Sequence, residues 1–146
     1  MDEQQIFNIV SKCKHLKYKF SGIYAADNFP VEFSKNTFII VNTSNSDSVG
    51  EHWILLAKQN SDEAIYLPDP FGFPTETYKN LYKRIKYYAC VNVMTHQLQS
   101  INSQFCGLYC IYIAHFIFNN KYNHITIVND LEVFKFVKTY VMIKTK

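Results

Sequence analysis

Residues 99–120 read QSINSQFCGLYCIYIAHFIFNN, and the reading of the fold turns on where the polar part gives way to the apolar part. From Cys106 onward the stretch is apolar on every side of a helical wheel, which predicts a helix buried all round. The preceding THQLQSINSQ (95–104) is polar and predicts a loop. Cys106 therefore stands where a loop enters a helix, and there the unsatisfied N–H groups and the macrodipole favour a thiolate. A thiol nucleophile needs such a depressed pKa, a base for its proton, and donors for a developing oxyanion. Gly107 is read as a residue over which a substrate backbone can pass closely. Cys110, one turn further in, reads as a core cysteine.

Upstream, HWILLAK (52–58) and AIYLPD (64–69) are strand-like and flank the turn-rich QNSDE (59–63), which predicts a β-hairpin. With the turn centred on 60–62, paired positions sum to about 121–122, and His52 falls opposite Asp69 or Pro70. A histidine oriented by a carboxylate is held in one tautomer and is stabilised when it takes a proton. Cys106, His52 and Asp69 thus form a candidate triad. In the approach loop, Gln97, Gln99 and Gln104 could each offer a side-chain amide to an oxyanion, and residue type does not choose among them.

The rest of the chain frames these segments. Residues 3–13 carry Ile6, Ile9, Val10 and Cys13 at helical spacing, and TFIIVNT (37–43) is a β-branched strand run. SGIYAADNFP (21–30) reads as a loop, residues 75–86 as a helix and YYACVNVM (87–94) as a strand. Asn129 or Asp130 caps a last helix running to about Lys144. The architecture expected is α+β: one domain over residues 1–146, with a small mixed or antiparallel sheet packed on the buried helix that begins at Cys106.

Composition excludes more than it selects. The chain has 146 residues, 48% hydrophobic and 18% charged, with 12 Phe and 11 Tyr, an ordinary globular balance. A net charge of +3 permits contact with nucleic acid without requiring it. Four cysteines form neither paired metal motifs nor a dense disulfide framework, and the acidic N-terminus is unlike a signal peptide. Phe105–Phe118 is too short to span a bilayer. A reducing, intracellular setting is the expectation, with no membrane partner. A zinc site drawn from Cys106, Cys110 and His115 lacks the usual paired spacing, so no metal is expected.

Three blocks in this order, GEHWILLAK, YLPDPFGF and QSINSQFCGLYCIYIAHF, resemble the adenovirus protease (adenain) family. That family shares its fold core with proteases of SUMO and ubiquitin-like proteins, within the papain-like cysteine proteases. The resemblance covers roughly residues 20–118 and extends to proteases of Polinton and adintovirus-type elements. It implies His52 as general base, Asp69 as its orienting acid, Cys106 as nucleophile and Gln99 as the oxyanion-hole side chain, with Trp53 and Gly107 flanking the substrate groove. It implies an endopeptidase that cuts viral or element-encoded structural precursors at Gly-containing sites, in the virion and host nucleus; a monomer is the expectation, although nothing in the sequence fixes the oligomeric state. The alternative is a protease acting on the Gly-Gly tails of ubiquitin-like modifiers. No cofactor is implied for the chemistry, but relatives are activated by DNA and by a viral peptide. Cys90 is the candidate activator cysteine, and Lys79, Lys83, Arg84 and Lys86 the candidate DNA face. Asp69 stands where the adenovirus enzymes have Glu, and the chain is shorter than theirs.

Overall fold

The computed structural model describes residues 1–47, 52–60, 63–88, 90–125 and 128–142. The expected turn at 60–62, the end of the 42–51 loop and the end of the last helix therefore lie partly outside the described residues. Helix α1 (Glu3–Ser11) starts at a capping box: Asp2 accepts from Gln5 N, and the Gln5 side chain accepts from Asp2 N. Its Ile6 and Val10 are buried.

Five strands form one sheet in chain order: β1 (Phe20–Tyr24), β2 (Thr37–Asn42), β3 (Trp53–Lys58), β4 (Ile65–Pro68) and β5 (Val91–Met94). The central β2–β3–β4 ladder is antiparallel and both flanking pairs are parallel, so the sheet is mixed. Strand β1 replaces the first part of the loop expected over 21–30. It escaped the sequence reading because it shows no apolar alternation and contains Gly22 at φ 136, where its register against β2 shifts.

Both faces of the middle strands are covered. Phe38, Ile40, Leu55 and Ala57 pack on one side against helix α3 (Cys106–Phe118). Ile39, Val41, Ile54 and Leu56 pack on the other with Phe29 and with Leu81 and Ile85 of α2 (Lys79–Ile85). This explains why β2 and β3 read as continuous apolar runs. Each fully buried Leu or Ile contributes ~1.5–3 kcal/mol. Helix α3 is buried continuously from Cys106 through Ala114, as its apolar wheel predicts.

Two helices differ from their expected form. The helix read over 75–86 is broken: a short 3-10 turn spans Thr75–Thr77, and Tyr78 is extended at φ −108, ψ 91 before α2 begins. The last helix, α4 (Asp130–Phe136), is capped by Asn129, whose side chain accepts from Glu132 N at 2.9 Å. It widens into a π turn over Val137–Val141.

Candidate active site

His52 precedes β3, and its carbonyl accepts from Thr43 N at 2.8 Å, so its backbone already runs with the sheet. Ala57 faces Tyr66 and Lys58 faces Ile65, so paired positions sum to 123, one or two beyond the expected register. Continued to residue 52, that register would set Phe71 instead of Asp69 opposite His52, and the two rings do stack with centroids 4.1 Å apart at 14°. Asp69 reaches the histidine by another route. The chain leaves the strand after Pro68, and Phe71 N donates to Asp69 Oδ1 at 2.9 Å while Gly72 N donates to Asp69 O at 2.8 Å. This Asx-type turn aims Oδ1 at His52 Nε2, 2.6 Å away.

Gly72 carries the turn onward at φ 78. A Cβ there would sit 2.7 Å from Gln97 N, so only glycine lets the 95–97 segment cross so closely. Pro70 O then accepts from both Leu98 N and Gln99 N at 2.9 Å. The loop that orients the carboxylate thus also sets down Gln99.

At the other ring nitrogen, His52 Nδ1 lies 2.8 Å from Cys106 Sγ. The sulfur is 3.3 Å from Gln99 Nε2 and receives the backbone N–H of Trp53. Burial alone would lower the His52 pKa, but hydrogen bonds to Asp69 and Cys106 outweigh it and hold it at about 9. For Cys106 burial would raise the pKa, yet His52, Gln99 and the Trp53 N–H together bring it below the ordinary thiol value. Burial pushes Cys13 up to about 12 and Cys110 well above the ordinary value. Both shifts act in the direction of a thiolate beside an imidazolium.

Gln97 Nε2 is turned to Gln99 O, to which it donates, while Gln104 is exposed and lines the cleft that holds Cys106. Trp53 lines a cleft of about 770 Å³ that includes Cys106, Tyr24, Asn42, Ser44 and Phe71, and its indole donates to Met1 O at 3.0 Å. Gly107 does not line this cleft. A Cβ on it would lie 2.5 Å from Ile6 Cγ1, so its bare backbone admits α1 onto α3, and its place in a substrate groove is corrected to a packing contact. Cys110 is fully buried and His115 packs edge-on against Phe116 and Phe136, so Cys106, Cys110 and His115 are not gathered as metal ligands. Cys90 is exposed just before the edge strand β5. Of the expected basic face, Lys79, Lys83 and Lys86 are exposed, but Arg84 turns inward, donating to Phe29 O at 2.6 Å and lying over the Phe29 ring.

Sequence reading missed several partners. Tyr78 Oη donates to Asp69 Oδ2 at 2.5 Å, which the unsignalled helix break makes geometrically possible. Phe71 was reachable from the hairpin, given the right register. Ser103 and Asp130 sit behind Gln99, and nothing local to either residue marks them.

The family model described as adenovirus endoprotease matches residues 20–142. Among curated relatives, the protease of bovine adenovirus B serotype 3 is 31% identical over 103 residues, covering 60% of this chain and 50% of the relative. That of human adenovirus B serotype 3 is 30% identical, covering 66% and 49%. That of ovine adenovirus D serotype 7 is 31% identical, covering 82% and 68%. The chain spans about half the length of the first two relatives. A crystal structure of the ASFV pS273R protease aligns with TM-score 0.45 and 23% identity, over 74% of this chain and 43% of that one.

Proposed function

Since the chain belongs to the adenovirus endoprotease family, we propose that it is a cysteine endopeptidase with Cys106 as nucleophile, His52 as general base and acid, Asp69 as orienting carboxylate and Gln99 as oxyanion donor. The observation that carries this reading is the unbroken line from Asp69 Oδ1 to His52 Nε2 at 2.6 Å and from His52 Nδ1 to Cys106 Sγ at 2.8 Å, with Gln99 Nε2 3.3 Å from the same sulfur.

The Cys106 thiolate attacks the scissile carbonyl carbon and forms a tetrahedral oxyanion. Gln99 Nε2–H and the Cys106 backbone N–H, one of the orphan donors of the first helical turn, receive the negative oxygen. As the C–N bond breaks, imidazolium His52 passes its Nδ1 proton to the leaving amine, and a thioester remains on Cys106. Neutral His52 then takes a proton from water at Nδ1, the hydroxide adds to the thioester, and collapse releases the acid and the thiolate. Asp69 keeps its charge throughout, holding His52 in the tautomer that leaves Nδ1 free.

The substrates proposed are viral or element-encoded structural precursor proteins, cut after small residues, above all glycine. A cleft wall made by Trp53 and Tyr24 supports a groove that favours residues without large side chains. DNA or a viral peptide is proposed as activator.

The test uses wild type and Cys106→Ala with a Gly-Gly peptide, a ubiquitin or SUMO fusion, and a thiol-directed probe, each with and without added DNA. Peptide cleavage and probe labelling that vanish in the variant are expected. Cleavage of the fusion alone redirects the substrate to modifier tails. No cleavage and no labelling in any arm overturns the protease reading.

A further inference from the structure

Gln99 is 1% exposed, and its amide can take two orientations of nearly the same shape. One presents Nε2–H to the sulfur and to an oxyanion, and the other presents Oε1, an acceptor that would repel both. In the structure Oε1 has no protein partner among the described residues. The choice therefore rests on the Nε2 side, which donates to Ser103 Oγ at 2.9 Å and faces Ser103 O at 3.3 Å.

The Ser103 carbonyl only accepts and so already favours Nε2, at 3.3 Å, but the shorter contact is to the hydroxyl, which can donate or accept and by itself would not choose. Its proton is spoken for. Ser103 Oγ lies 2.8 Å from Asp130 Oδ1, and a carboxylate only accepts. With its proton on Asp130, Ser103 can only accept from Gln99, which requires Nε2 and excludes Oε1. Tyr109 Oη of α3 donates to the same Asp130 oxygen at 2.9 Å and holds the carboxylate in place. Asp130 is the first residue of α4, whose cap Asn129 fixes how the helix starts.

We infer that Asp130 is a positioning residue for catalysis, setting the Gln99 amide through Ser103 so that its N–H faces the oxyanion. This rests on the protease reading and deepens it: the oxyanion hole is completed from a helix that contributes no atom to the reaction.

The test compares wild type, Asp130→Ala, Ser103→Ala, Gln99→Ala and the Asp130→Ala/Gln99→Ala double variant on the peptide substrate. Removing one oxyanion donor costs ~10²–10³-fold in kcat, and a donor held only by the longer contact to Ser103 O is expected to cost about 10-fold, with KM nearly unchanged. Asp130→Ala should add nothing once Gln99 is alanine, since both changes act through one group. Alkylation by iodoacetamide at a pH above the Cys106 pKa, which forms no oxyanion, should proceed at the wild-type rate in Asp130→Ala. A kcat within twofold of wild type, or equal losses in both backgrounds, overturns the inference. Should Asp130→Ala fail to fold, Ser103→Ala carries the same comparison. Independently of activity, the Gln99 side-chain amide protons should be protected from solvent exchange in wild type and lose protection in Ser103→Ala and Asp130→Ala. Unchanged protection also overturns the inference, and it does so even if wild type cleaves nothing, the outcome that overturns the protease reading.

Discussion

Replacing Asp69 by Asn removes a charge and almost no volume, and the surrounding donors dictate how the new amide sits. It could turn Nδ2 toward His52, which would reverse the imidazole tautomer and place a proton on Nδ1, where Cys106 needs an acceptor. Phe71 N forbids this: it donates to the same oxygen that faces His52, and a backbone N–H cannot rotate away. The Tyr78 hydroxyl, on the other carboxylate oxygen, can rotate to accept from Nδ2. The tautomer is therefore kept and only the charge is lost. His52 should fall from about 9 toward its ordinary 6.5, an interval worth roughly 3.5 kcal/mol at ~1.4 kcal/mol per pH unit. Cys106 supplies part of that elevation, so this figure is an upper bound, and the loss in kcat/KM is expected at up to ~300-fold. The assay is a pH profile of kcat/KM for both proteins. The alkaline limb, near pH 9 in wild type, should move to lower pH in the variant. A limb that stays in place refutes Asp69 as the group holding His52 protonated. A loss near 10⁴-fold refutes the argument that Phe71 preserves the tautomer.

Gln99→Ala should lower kcat by ~10²–10³-fold with little change in KM, measured by steady-state peptide cleavage. Gly107→Ala would place a methyl 2.5 Å from Ile6 Cγ1, so overpacking is expected to cost ~1–3 kcal/mol in urea unfolding, and the same change made in an Ile6→Ala background should cost almost nothing. If the single variant unfolds like wild type but binds substrate poorly, Gly107 belongs to the groove after all. Tyr78→Phe strips a donor from a buried carboxylate and should destabilise by ~1.5–3 kcal/mol, an expectation that fails if the urea midpoint is unmoved. The stability contributed by protonated His52 is complete below its ordinary 6.5 and lost as pH rises through about 9, so the difference in unfolding free energy between wild type and His52→Ala should shrink from pH 7 to pH 10.

The elements legible in the sequence were those whose signal is local. The apolar wheel of α3 and the β-branched run of β2 each need a buried partner, whatever that partner is. The Asn129 cap has the same character, since its hydrogen bond closes within three residues. Strand β1 stayed hidden because its strand identity comes from pairing with β2 and not from its own pattern.

In the site, the sequence alone determined the parts: a thiol at a loop-to-helix junction, a histidine and an aspartate on two adjoining strands, and three glutamines in the approach. The tertiary structure decided their joining. The hairpin register is off by one or two from the sequence estimate, and what brings Asp69 to His52 is a turn stabilised by Phe71 N, Gly72 N and Tyr78. It also separated Gln99 from Gln97 and Gln104, through the two hydrogen bonds at Pro70 O and the contact with Ser103 and Asp130. The physical reason is range. Periodicity and capping act over one or two helical turns, whereas the orientation of a side-chain amide depends on hydrogen bonds from residues 27 apart in the chain, as Ser103 and Asp130 are.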